Sequence, residues 1–305
     1  MKILPTSNNQ QEVRPVITTN MFTFSSFLLL TYAVALVSCR NDNVPRTGGA
    51  SRSKNNLGIN LNFQIKPSLT DIAIQVRGGS KSRTTRSLTT EKAVVYGSLL
   101  AFNSGVINGV CLSGLLQPTK QASAAVTGAW TNSALGVATG NYEQFLFNGK
   151  CIMSYFFGSF LSGLINYNPT PFEISVGTFR SMFWIGSALL FGSSWMCGSA
   201  EEGKGFIFLA AMANGLQNSL TSSTTANLVR SAHFSGITSD IGTFFGQCIR
   251  GNQQNLGKLK VFIKLAISFW VGGFSSYFLV EKFGSQTLLF SSVLYMILGV
   301  GVGFV

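Results

Sequence analysis

The chain has 305 residues and a formal net charge of +12, yet charged residues make up only 10% of it and Phe alone numbers 26. Ordinary soluble domains carry about 25% charged residues. Residues 1–92 hold 12 Lys/Arg against 4 Asp/Glu, so residues 93–305 carry little charge with which to face water, and a soluble core is excluded there.

The first element is an apolar run, residues 21–37, followed by Ser38-Cys39-Arg40. Its length of about 16 and its small-residue exit read as a signal peptide or signal anchor over 1–39. Residues 40–92 are rich in Arg, Lys, Ser, Thr and Asn, with acids only at Asp42, Asp71 and Glu91. Such a composition buries too little apolar surface to fold alone. It reads as a basic low-order tail, or as the second part of a presequence leading through the secretory pathway to an organelle membrane of plastid type. The basic residues lie there without interleaved aromatics, which argues against nucleic acid as a partner.

From Ala93 the sequence becomes a series of apolar stretches: 94–116, 124–140, 146–165, 174–197, 206–220, 232–249, 259–280 and 287–305. The breaks carry turn chemistry, as in Asn168-Pro169-Thr170-Pro171 and Gly251-Asn252-Gln253-Gln254. A spanning helix needs about 20 apolar residues. The second and sixth stretches are short and polar, with Thr127, Thr131 and Asn132 in one and Ser235, Thr238 and Asp240 in the other. They are interior helices or half-helices. The expected fold is all-α: a polytopic transmembrane helical bundle of six to eight membrane segments.

The apolar part is also written twice. Ala101-Phe102-Asn103-Ser104-Gly105-Val106-Ile107-Asn108 returns 110 positions later as Ala211-Met212-Ala213-Asn214-Gly215-Leu216-Gln217-Asn218. Lys120 and Arg230 follow at the same offset, and Ser123-Ala124-Ala125-Val126-Thr127-Gly128 recurs as Ser231-Ala232-His233-Phe234-Ser235-Gly236. Phe157-Gly158-Ser159-Phe160 is echoed by Val271-Gly272-Gly273-Phe274. Two internal repeats, about 94–198 and 204–305, are expected. Four helices per repeat would make the halves parallel; three, with the short helices re-entrant, would make them inverted.

Polar side chains in apolar helices mark the candidate site. Asn108 and Asn218 occupy matching positions, with Gln217 beside the second. They form a solute or ion site between the repeats, or they are hydrogen-bonded glue between helices. Adjacent amides lie about 100° apart on a helix. Gln217 and Asn218 should therefore face different partners, one the repeat interface and the other the stretch from Ser231 to Gly236. Thr127 and Ser235, with Ser123 and Ser231 behind them, are placed to cap the starts of the short helices. With Lys120 and Arg230 just upstream, those starts are candidate anion sites. Asp240 is the one acid in a membrane-depth segment, with Arg230, Arg180 or Lys264 as its counter-charge. The pairs Gly105/Gly109, Gly136/Gly140 and Gly242/Gly246 suit close helix packing.

Enzyme signatures are not found: there is no nucleophile elbow, no phosphate loop and no zinc-protease motif. Cys39, Cys111, Cys151, Cys197 and Cys248 are widely spaced and His233 is the single histidine, so neither a Cys/His zinc site nor any cofactor is expected.

These motifs resemble the YoaK family, polytopic membrane proteins of unknown function. Gly105-Val106-Ile107-Asn108-Gly109 matches that family's first signature, with Asn where it favours Asp. Ser123 to Gly128 and Gly215-Leu216-Gln217-Asn218-Ser219 follow the next two, and Val229 to Gly236 the last. The resemblance covers about residues 94–305. It implies a multi-pass fold and no assigned activity, and Asn108 argues against a proton-binding carboxylate in the first half. A small-solute transporter or permease is the expected function, with a non-transporting membrane scaffold or assembly protein as the alternative. Expected partners are membrane lipid, a small anionic or polar solute and a second copy of the chain.

Overall fold

The computed structural model describes residues 85–116, 120–199 and 204–302. The signal stretch and the basic extension up to residue 84 lie outside the described residues. Helices dominate: α1 Thr90–Leu112, α2 Val126–Ala138, α3 Tyr142–Ile165, α4 Val176–Ser199, α5 Phe206–Thr224, α6 Phe234–Ile249, α7 Leu256–Phe283 and α8 Thr287–Gly301. A single 3-10 turn, Gly284–Gln286, joins the last two. Two helical stretches are long and apolar enough to cross a membrane: Thr90–Leu112, and Leu256–Gly301 taken through its turn.

Local chemistry sets the ends of these helices. The Thr89 hydroxyl accepts from Lys92 N at 3.3 Å and caps α1. Asn141 Oδ1 accepts from Gln144 N at 3.0 Å and caps α3. Gly140, at φ +71, makes the tight reversal from α2 into α3 that a side chain would strain. After α5, Ala226 and Asn227 both adopt positive φ. The Thr225 hydroxyl holds that turn by accepting from Val229 N at 2.9 Å, and the chain is thrown back along α5.

The segment expected to be low-order, 40–92, already carries structure at its end. Strand β1, Thr85–Ser87, pairs antiparallel with β2, Glu173–Ser175. Leu88 follows it into the core and donates its N–H to Phe172 O at 2.7 Å. Composition argued that this stretch could not bury enough surface alone. Residues 85–88 fold against the end of the α3–α4 connection, which the stretch itself does not reveal.

Helix directions follow from who meets whom. Ser104 of α1 meets Asn214 of α5, and Leu100 meets Gln217, so these two helices run antiparallel. α3 runs alongside α5 in the same direction, with Glu143 on Lys204 and Phe147 against Phe208. α1 and α7 are likewise parallel: Gly272 lies against the Phe102 carbonyl, and Gly109 against Ser276. α4 and α8 are antiparallel, with Ser194 bonded to Ser285 O and Ser187 to Ser292.

The backbones come close because glycine sits at the crossings. A Cβ at Gly158 would fall on the Met212 carbonyl and one at Gly272 on that of Phe102. A Cβ at Gly105 would strike the Phe269 carbonyl, and at Gly215 that of Tyr155. Gly136 similarly admits the α3 backbone at Phe145. Gly242 and Gly246 do not pack in this way; among the described residues nothing lies within 4 Å of a Cβ built there. Their spacing met the pattern, but that face of α6 turns outward.

Small and polar side chains, Ser104, Asn214, Gln217, Ser193 and Ser231 among them, are buried beside large apolar ones such as Ile107, Phe206, Leu216 and Leu265. Other large apolar ones such as Phe156, Phe160, Trp195, Phe290 and Ile297 stand on the outside. The apolar core is that of any folded domain, and it is the many large apolar side chains outside that set this one apart.

Candidate functional site

The polar interior is concentrated in the seam where α1 and α5 cross. At its centre the Ser104 hydroxyl donates to Asn214 Oδ1 at 2.9 Å, and Asn214 Nδ2 donates to the Ser123 hydroxyl at 3.1 Å. One turn along α1, Asn108 Oδ1 accepts from Ala124 N at 3.0 Å. One turn along α5, Asn218 Oδ1 accepts from Ala232 N at 3.1 Å. Each asparagine thus seizes the backbone of a loop just before a short helix begins. Each lies four residues, about 6 Å of helix rise, from the central contact.

The adjacent amides diverge. Gln217 Nε2 donates to Leu100 O at 2.8 Å across the seam, and its Oε1 accepts from the buried Tyr295 hydroxyl. Asn218 looks the other way, to the loop at Ala232, where the Tyr155 side chain also hydrogen-bonds it. The 100° helical offset predicts this split, one side chain to α1 and one to the start of α6.

The expected cap at the short helices is different from what forms. Neither α2 nor α6 has a side-chain hydrogen bond at its N-cap, positions held by Ala125 and His233. Thr127 and Ser235 are exposed, away from the seam. The seam helices present Asn108 and Asn218 to the incoming loops, and the amides hold the N–H groups of Ala124 and Ala232, two residues before each helix begins. Ser123 and Ser231 turn inward instead: Ser123 accepts from Asn214, and Ser231 lies 3.2 Å from Thr221 Oγ1.

The expected site residues therefore divide. Asn108, Gln217 and Asn218 share the seam. Arg230 and Asp240, both half-buried, form an ion pair at 3.8 Å over the start of α6, which resolves the choice of partner for Asp240. Thr127 and Ser235 stand apart, and His233 is exposed. Asn214 was missed as a site residue because its repeat partner is Ser104, and a mismatched pair gives no signal. It is nevertheless fully buried and bonded on both sides.

Two cavities adjoin this frame. One, of about 30 Å³, lies among α1, α4, α5 and α8 and is walled by Leu100, Phe183 and Val302 with the Thr221 and Thr224 side chains. It has room for a water or two rather than a solute. The other, of about 350 Å³, is polar and opens at the end of the bundle where α3 and α5 begin, with Lys120 and Lys204 on its wall. Among the described residues no group of three His, Cys, Asp or Glu is placed to hold a metal ion.

No curated protein and no solved structure matches the chain. A family model described as "Protein of unknown function (DUF1275)" matches residues 96–301, from the first turns of α1 to the last residue of α8. The match spans about two thirds of the sequence and takes in the whole seam, and the chain belongs to that family of unknown function.

Proposed function

We propose that the chain is a polytopic membrane protein made of two copies of one helical unit in opposite orientation, and that it moves a small polar solute along the α1–α5 seam. α1, α3, α4, α5, α7 and α8 are the six crossings. α2 and α6 are half-helices that start inside and return to the side they came from.

The matched capture of the two loops carries this reading. Asn108 with Ala124 and Asn218 with Ala232 are the same contact at offsets of 110 and 108. The same holds for Gly158 on Met212 and Gly272 on Phe102, and for Gly215 on Tyr155 and Gly105 on Phe269. The antiparallel crossing of α1 and α5 supports inversion rather than parallel halves. The apolar exterior supports a lipid surround, where large outward Phe and Trp side chains carry no penalty. Membrane transporters built this way place their sites between inverted units, at interrupted helices whose N–H groups face the pathway. The YoaK-like motifs fall on these same loops and seam residues.

One observation favours the second reading, a non-transporting membrane scaffold or assembly protein. Asn108, Gln217 and Asn218 each have a protein partner. Flux decides between them. The full chain reconstituted in liposomes is assayed with a panel of labelled small anions and neutral polar solutes, against protein-free vesicles. Saturable uptake of one class, lost in Gln217→Leu protein that still melts cooperatively, is the result expected of a transporter. Folded protein that moves no member of the panel overturns transport and leaves the scaffold.

A further inference from the structure

We propose that the polar cavity at the end of the bundle binds a small ligand carrying an anionic group together with an N–H or O–H donor. This site is distinct from the seam, and its occupancy does not depend on whether the protein transports.

The cavity forms where the loop after α1, the α2 helix, the start of α3 and Lys204, two residues before α5, come together. Its volume of about 350 Å³ suits a small organic molecule. Lys120 and Asn132 both line it. The offsets that carry Asn108 to Asn218 and Ala124 to Ala232 carry Lys120 to Arg230 and Asn132 to Asp240. At the second position the cation and the acid neutralise each other in the 3.8 Å pair. At the first, the acid is replaced by a neutral amide. Glu143, the acid on the wall, offers no compensation, since it is bonded to Lys204 at 2.9 Å. Among the described residues Lys120 has no acidic partner, and the wall keeps one positive charge in excess.

A second feature points to the ligand's other half. Asn148 is 96% buried on the cavity wall, its exposure being only 4%. Its Nδ2 donates to Gln144 O at 2.8 Å, while its Oδ1 has no hydrogen-bond partner. An amide oxygen buried in this state costs about 1–3 kcal/mol until a donor reaches it. Lys120 supplies the charge that an anion requires, and Asn148 Oδ1, sealed beneath the wall until its amide turns toward the cavity, supplies the acceptor that a hydroxyl or ammonium requires. Hydroxy- and amino-carboxylates carry both groups, and so do phospholipid headgroups that combine phosphate with hydroxyl. The cavity lies at the level of the α3 and α5 N-termini, where either source has access.

The test uses the full chain in nanodiscs of phosphatidylcholine. Calorimetric titration with glycerate should show saturable binding, and propionate, which has the carboxylate without the donor, should bind at least tenfold more weakly. A parallel arm replaces a quarter of the lipid with phosphatidylglycerol and reads the melting temperature; a rise there with no glycerate binding identifies the lipid headgroup as the source. Asn132→Asp restores to Lys120 the acid that Arg230 already has. It should weaken binding at least tenfold in whichever arm responds, with melting unchanged or raised. Lys120→Gln, at an exposed position with no fold to break, should do the same. Binding undiminished in both variants overturns the site, as does the absence of any response to glycerate and to phosphatidylglycerol.

Discussion

Asn108 and Asn218 are matched in position but not in surroundings: Asn108 is buried, whereas Asn218 is half-buried and shares its site with Tyr155. Replacing either by Leu strips the acceptor from a loop N–H. Leaving such a group unpaired costs about 1–3 kcal/mol. Both variants should melt lower, and Asn108→Leu by more, since the position corresponding to Tyr155 is Phe269, which brings no hydroxyl. Equal melting of Asn108→Leu and the parent protein would show that the loop does not depend on this bond. Gln217 is held from two sides, so Gln217→Leu takes the side-chain donor from Leu100 O and leaves the Tyr295 hydroxyl with only its 3.5 Å contact to Ala213 O. Adding Tyr295→Phe removes that poorly satisfied hydroxyl. The double variant should therefore recover part of the loss, with a coupling of about 0.5–3 kcal/mol between the two positions. Strict additivity in thermal unfolding would contradict the hydrogen bond. These amides were legible in the sequence because an amide in an apolar helix is costly and its repetition is conspicuous. Thr127 and Ser235 were misread because hydroxyls tolerate either face of a helix, and spacing alone gives no direction.

The eight helices fall within four residues of the apolar stretches at every described end, because Gly, Pro and Asn break the pattern where the chain turns. Helix pairing was less visible. A Gly-x-x-x-Gly spacing marks a groove without naming what enters it, so Gly105/Gly109 and Gly242/Gly246 look alike on paper. They should behave differently on substitution. Gly158→Ala and Gly272→Ala each drive a methyl into a backbone carbonyl, a shift that costs about 1–3 kcal/mol or more. Gly242→Ala meets nothing and should raise stability by roughly 0.5–1 kcal/mol through helix propensity. Melting curves of the three variants in one detergent check the ranking, and a destabilised Gly242→Ala would refute the outward face of α6. β1 was invisible, since three residues of Thr-Arg-Ser carry no strand signal until β2 is beside them. A chain starting at Ser82 should melt like the full protein. One starting at Thr89 loses β1 and Leu88, whose burial contributes about 1.5–3 kcal/mol, and should melt measurably lower.

The inverted arrangement proposed above would place corresponding residues on opposite sides of the membrane. Single cysteines at Lys120 and Arg230, introduced over a background without native cysteines, should react with a membrane-impermeant maleimide from different sides of sealed vesicles. Labelling of both from the same side would rule out the inverted arrangement. The pairing of the long helices also bears on how the chain is made. α1 rests chiefly on α7, which begins at Leu256, while α5 rests on α3, which precedes it. At ribosomal rates of about 5–20 residues per second, α1 waits roughly 7–30 s between its own completion and the arrival of its first α7 residue. Through that interval its glycine-lined groove is open, with the Asn108 amide on the helix beside it. Whatever receives the nascent chain must shelter that face, and a fragment ending before α7 would present the same groove to every neighbouring helix, including another copy of itself.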